Sequence, residues 1–260
     1  MPRYPVFIVG SPRSGTSILV DALLSTGYKG YREGMFLSML HYIDQVIDRH
    51  YTLFGDGQNL IAAVSKNKLK HDLYATFRQM TEERHPAPPW FDKTGNADMI
   101  LAIPTLLQLW PDAAFIFAKR RAIENVISRL KKFPQHSFDY HCIDWSKNMS
   151  AWRQTWGKLA ASSFVEVDQQ DMIQQPEKVA ATLRSFLSLS PEQENAVVKT
   201  LRSNRPQQTE EGSAARVRSL ASSGFGQGQL AVFHKHCDAE MSAYGYSMDE
   251  NYRAPVTAAE

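Results

Sequence analysis

The residues with the clearest chemistry lie close to the start of the chain. Gly10-Ser11-Pro12-Arg13-Ser14-Gly15-Thr16-Ser17 sets two glycines five positions apart around one cation and several hydroxyls. A glycine turn lets backbone N–H groups face a single anion, and a helix that starts there adds the positive end of its dipole. The spacing G-x-x-x-x-G is the front half of a nucleotide-triphosphate loop. That loop continues with Lys and then Ser or Thr, the Lys for the β- and γ-phosphates and the hydroxyl for magnesium. Here Thr16-Ser17 stand in those places, and the cation has moved inside the turn as Arg13. Such a loop suits a nucleotide with fewer phosphates at this end and no metal.

The surrounding elements fit that role. Val6-Phe7-Ile8-Val9 is an apolar run that enters the turn as a buried strand. Ile18, Leu19, Ala22, Leu23 and Leu24 leave it with helical spacing. Ala113–Ala118 is a second apolar run, of the kind a central parallel strand requires. It leads into Lys119-Arg120-Arg121 and a helix carrying Ile123, Val126, Ile127 and Leu130. Strands near 90–93 and 163–167 alternate with helices near 97–110, 122–132, 145–161, 177–188, 191–201 and 229–243. The alternation predicts an α/β fold with a central parallel sheet flanked by helices on both faces, in three layers. Residues 34–85 read as helical pieces broken at Gly55-Asp56-Gly57. Residues 203–228, rich in Gln, Ser, Gly and Arg, read as a long mobile loop, and the last several residues as a tail.

A chain of 260 residues with 43% apolar residues buries a full core as a single domain, residues 1–260. A net charge of +2 gives no basic stripe for nucleic acid. The local run Lys119-Arg120-Arg121 is a candidate patch for an anionic cosubstrate. Cys142 and Cys237 are too few for a disulfide framework or a cysteine-rich metal site. No apolar run reaches membrane-spanning length and the first strand leaves no room for a leader, so the expectation is a cytoplasmic protein without stable membrane insertion.

Pro12-Arg13-Ser14-Gly15-Thr16-Ser17 resembles the 5′-phosphosulfate loop of the sulfotransferases that use 3′-phosphoadenosine 5′-phosphosulfate (PAPS). Its Arg form is the one met in the carbohydrate-type and bacterial branches. The resemblance extends to other segments. Arg120 ends a strand and Ser128 follows eight positions later, as in the pair that grips the 3′-phosphate of PAPS, although Arg121-Ala122 stand where Asp-Pro is usual. Phe91-Asp92-Lys93-Thr94 is similar to the segment that brings a lysine to the active site, with Gly95 and Ala97 departing from the pattern. Asp171, Pro176 and the helix after it resemble a later signature, but Gln169 and Gln170 stand where a Tyr and a Glu are usual.

The resemblance implies a P-loop-like fold and a PAPS-dependent sulfotransferase. The cosubstrate would be bound by Ser11, Pro12, Arg13, Ser14, Gly15, Thr16, Ser17, Arg120 and Ser128, with a late basic segment, Arg216 and Arg218, closing over the 3′-phosphate. Arg13 and Lys93 would stabilise charge growing on the sulfuryl and bridging oxygens. The acceptor must also lose a proton. Glu33, just past the first helix, is the implied base, and His41 is the alternative. The implied acceptor is a hydroxyl or amine of a carbohydrate, glycolipid or other small molecule, with 34–85 on the acceptor side; Tyr31, Phe36, Tyr42 and Trp90 suit stacking on a sugar or aromatic acceptor and suit the core equally well. No metal is required. Two other readings stay open: an atypical P-loop kinase of a small molecule, and a nucleotide-binding relative without catalysis.

Overall fold

The architecture, taken from a computed structural model that describes residues 3–85, 87–203 and 217–255, is a five-stranded sheet covered by helices. Strand β1 (Val6–Gly10) leads into helix α1 (Thr16–Ser25), and a short edge strand β2 (Lys29–Tyr31) comes next. The helical block is α2 (Met39–Phe54), α3 (Leu60–Ala63) and α4 (Lys66–Arg84). Then come β3 (Trp90–Thr94), α5 (Ala97–Leu101), α6 (Ile103–Leu109), β4 (Ala114–Lys119) and α7 (Ala122–Lys132). The rest is α8 (Phe138–Trp156), β5 (Phe164–Asp168), α9 (Gln169–Gln174), α10 (Pro176–Leu187), α11 (Pro191–Arg202) and α12 (Gln227–Ala243).

The strand order is β2-β3-β1-β4-β5 and every pair is parallel. Val9 lies level with Thr94 on one side and Phe117 on the other. From β1 the chain passes to the sheet edge as β2, returns as β3 beside β1, and then crosses to build the other side with β4 and β5. The crevice at β1, between β3 and β4, is therefore the switch point at which open α/β sheets bind ligands. The C-terminal ends of β1, β3 and β4 converge there, each with the segment that leaves it.

Side chains alternate across the strands, yet both faces are buried. Phe7, Val9, Phe115 and Phe117 point into one core with Trp145, Met149 and Trp152. Val6, Ile8, Ile116 and Ala118 point into the other with Leu19, Leu23, Leu183 and Leu187.

Several boundaries differ from those read off the chain, each for a local reason. The helix expected over 97–110 breaks at Ala102, because Pro104 belongs in the first turn of a helix, where its missing N–H costs nothing. The helix expected from residue 145 starts at Phe138, where the Ser137 side chain accepts from the Tyr140 N–H. Strand β2 is three residues long, too short to carry a period. Strand β5 runs one residue further than expected and so ends on Asp168. The stretch after α12 is no loose tail as far as residue 255. Tyr246 is buried, and Tyr246 and Tyr252 both donate to Asp168, at 2.8 Å each.

Candidate functional site

The turn between β1 and α1 is built on backbone conformations that few residues tolerate. Gly10 has φ +136°, and a Cβ there would collide with the Ala118 carbonyl oxygen on β4. Only glycine lets the neighbouring strand approach that closely. Arg13 takes a left-handed φ of 73°, and Gly15, with φ 89°, caps α1. A non-glycine residue held there marks a turn that its surroundings over-determine.

Those surroundings come from β4 and α7. Arg120, at the end of β4, donates from Nη1 to the Arg13 carbonyl at 3.1 Å. Ser128 on α7 accepts from Arg13 Nε at 3.0 Å. Asn125, one turn earlier, donates from Nδ2 to the Pro12 carbonyl at 3.0 Å and to Ser14 Oγ at 3.1 Å. Arg129 donates to Ser11 Oγ at 2.7 Å, to Asn125 Oδ1 at 2.8 Å and to Asp144 at 2.5 Å. One helix therefore holds the glycine turn at Ser11, Pro12, Arg13 and Ser14, with residues at i, i+3 and i+4 on a shared face, and Arg120 adds a bond from the end of β4.

Of the three guanidinium groups at the turn, Arg129 is paired with Asp144. Burial lowers the proton affinity of the Arg13 guanidinium, and the charges of Arg120 and Arg129 lower it further. Burial does the same to Arg120, whose Nε has no partner among the described residues. Arginines keep their protons regardless. The result is three guanidinium groups crowded around one turn, and an anion with several oxygens relieves both the repulsion and the unmet donor.

On the other side of the turn stands Lys93, buried at the end of β3 and paired with the exposed carboxylate of Glu33. A Cβ added at Gly95 would lie 3.9 Å from both Lys93 Nζ and Pro12 Cγ, which puts the ammonium beside the loop. Beneath the Glu33 turn lies Asp92, 4% exposed, whose carboxyl is pushed up to about 6 by burial. His41 sits on α2, where it hydrogen-bonds with Gln45 at 3.0 Å and its ring lies against Tyr42. The contacts around the loop thus include Glu33 and leave His41 on its own helix. Of the aromatic residues considered for the acceptor, Trp90 belongs to the core, stacked on His85 and edge-on to Phe7. Phe36 stacks on Phe77, while Tyr31 and Tyr42 are exposed.

The run Lys119-Arg120-Arg121 is not an open basic patch. Lys119 pairs with Glu166. Arg121 is fully buried, bonds Glu124 through two nitrogens, and donates to the carbonyls of Ser247, Asp249, Asn251 and Arg218. Only Arg120 of the three faces the loop. The backbone N–H of Arg218 donates to Glu124 at 3.1 Å, so the part of the late segment from residue 217 onward is anchored at the root of α7. Arg216 lies outside the described residues. Gln169 packs against Gly15, and both Gln169 and Gln170 are buried.

Asn125 and Arg129 are loop-binding residues that sequence reasoning missed. Their signal was there: with Ser128 they form one helical stripe, interleaved with the apolar stripe of Ile123, Val126 and Ile127. Among the described residues no group of three or more His, Cys, Asp or Glu side chains is arranged to hold a metal ion, and no helix is long and apolar enough to cross a membrane.

A model of the sulfotransferase family matches residues 5–193. The fold is similar to that of the sulfotransferase STF1 of Mycobacterium tuberculosis, with a TM-score of 0.51 and 16% identity over 90% of this chain and 77% of that one. It is also similar to the mouse sulfotransferase SULT7A1, whose structure is a complex with PAP, with a TM-score of 0.51 and 10% identity over 93% and 88% of the two chains. At these identities the likeness is one of fold. No curated protein sequence matches the chain.

Proposed function

The chain belongs to the sulfotransferase family, and from that premise we propose that it moves the sulfuryl group of PAPS to a hydroxyl or amine of a carbohydrate, glycolipid or similar small acceptor. The observation that carries this reading is the convergence of Arg13, Arg120 and Arg129 on one glycine turn, with a buried Arg120 Nε left without a partner among the described residues. PAPS carries phosphate at two ends. The backbone N–H groups of the turn, with Thr16 and Ser17 at the start of α1, suit the 5′-phosphosulfate. Arg120 and Ser128 suit the 3′-phosphate, and Arg218 is assigned to it from the late segment.

PAPS supplies an activated sulfur whose leaving group is a phosphate. The acceptor oxygen or nitrogen bonds to that sulfur while the bond to the bridging phosphate oxygen breaks. Negative charge then grows on the bridging and sulfuryl oxygens, where Arg13 and Lys93 stabilise it from fixed positions. Glu33 takes the acceptor proton. Its pairing with Lys93 holds the base and the electrophilic cation side by side, and proton uptake by Glu33 releases Lys93 to the departing oxygen.

Calorimetric binding of adenosine 3′,5′-bisphosphate (PAP), ATP and GTP tests this reading. Tight PAP binding without magnesium is expected. Tight, magnesium-dependent ATP binding would mean a small-molecule kinase instead. PAP binding with no transfer to any acceptor in a labelled-PAPS screen would mean a relative that has lost catalysis.

A further inference from the structure

The turn that carries Glu33 is clamped by a buried carboxylate that the transfer reaction does not itself use. Asp92 Oδ1 accepts from the Thr94 hydroxyl at 2.9 Å, and that hydroxyl accepts from the Met35 N–H at 2.9 Å. The Gly34 N–H donates to the Lys93 carbonyl at 2.8 Å. Gly34 rests directly on the carboxylate, since a Cβ there would overlap Asp92 Oδ2. Met35 is held at φ 59°, a left-handed conformation that a long side chain disfavours. The turn therefore does not keep its shape by local preference, and the clamp supplies what the local sequence lacks. Alternation along β3 sends Asp92 and Thr94 to one side of the strand and Lys93 to the other. Together they grip residues 33–35 from both sides of the strand's end.

Resting on the reading of Glu33 as the general base, we propose that Asp92 is a positioning residue for that base: through Thr94 it fixes the 33–35 turn so that the Glu33 carboxylate meets Lys93 beside the glycine loop. The groups that face Asp92 are the Thr94 hydroxyl and the charges of Glu33 and Lys93. Burial pushes its carboxyl up to about 6; the Thr94 bond opposes that rise, the Glu33 charge adds to it, and Lys93 opposes it more weakly.

The test is a double-mutant cycle on Thr94→Val and Glu33→Gln, read as PAP release from PAPS, with water as the acceptor if none better has been found, beside PAP affinity by calorimetry. Thr94→Val is expected to lower kcat by about 10- to 100-fold, the scale on which small misplacements of a catalytic group act, with PAP affinity unchanged within about 2-fold. Thr94→Ser restores the rate. In the Glu33→Gln background Thr94→Val costs nothing further, because its only route to the chemistry is through Glu33. Asp92→Asn is expected to remove an inflection near pH 6 from the kcat profile. If Glu33→Gln leaves only a small measurable residual rate and Thr94→Val is fully active, or costs the same factor in both backgrounds, the positioning role is overturned and the base stands. If Glu33→Gln keeps full activity, the base reading fails, and with it any role exerted through that residue.

Discussion

Arg120 is structural on one side and is proposed to bind phosphate on the other. One of its nitrogens closes the Arg13 turn, while another is buried without a partner among the described residues. Its replacement by Ala is expected to weaken PAP binding by about 10- to 100-fold, the scale of a charge-assisted hydrogen bond. An unchanged Kd would remove Arg120 from the 3′-phosphate site. Asp92 makes a second prediction, this one about stability. Its carboxyl rises from the ordinary 3.8 to about 6 in the folded chain, so the native state favours the protonated form. The penalty is absent below pH 3.8, grows as pH rises, and is complete above about pH 6. There it is on the order of 3 kcal/mol by linkage. Asp92→Asn should therefore be more stable than the wild type at about pH 7.5 and lose that advantage near pH 4, as urea denaturation at the two pH values would show. Greater stability with a lower kcat is the signature of a residue kept for function.

Helix α7 is the element that decides the site. Its apolar face docks on the core through Ile123 and Val126, and its polar stripe of Asn125, Ser128 and Arg129 holds the glycine turn. The apolar stripe is legible in the chain by its period. The polar stripe is legible only once one knows that this helix lies across from residues 11–14, more than a hundred positions earlier. The same limit explains Glu33, whose place beside Lys93 depends on a strand, β2, too short to announce itself. The loop itself was fully readable, because glycines at 10 and 15 and the strand and helix beside them are local features.

At the scale of the molecule, the chain's end is tied back to its middle. Arg121 holds the carbonyls of Ser247, Asp249 and Asn251 as well as Arg218, and its ring partner Tyr252 donates to Asp168 on β5. One buried guanidinium thus joins β4, α7, the late segment and the last described residues. Arg121→Met is expected to destabilise the fold by about 3–5 kcal/mol, since it leaves Glu124 buried without its counter-charge. Urea unfolding measures this, and a loss under about 1 kcal/mol would show that the segments hold without it.

The sequence alone determined the class of fold, the glycine turn and the family resemblance, because these rest on local patterns: apolar runs of strand length, glycines where the backbone must bend, and a cation among hydroxyls. Which of three adjacent basic residues faces the glycine turn, which carboxylate lies buried under Glu33, and which helix face locks the turn were decided only by the tertiary structure. Each depends on how distant segments meet at the switch point of the sheet, and spacing along a chain carries no record of contacts made across it.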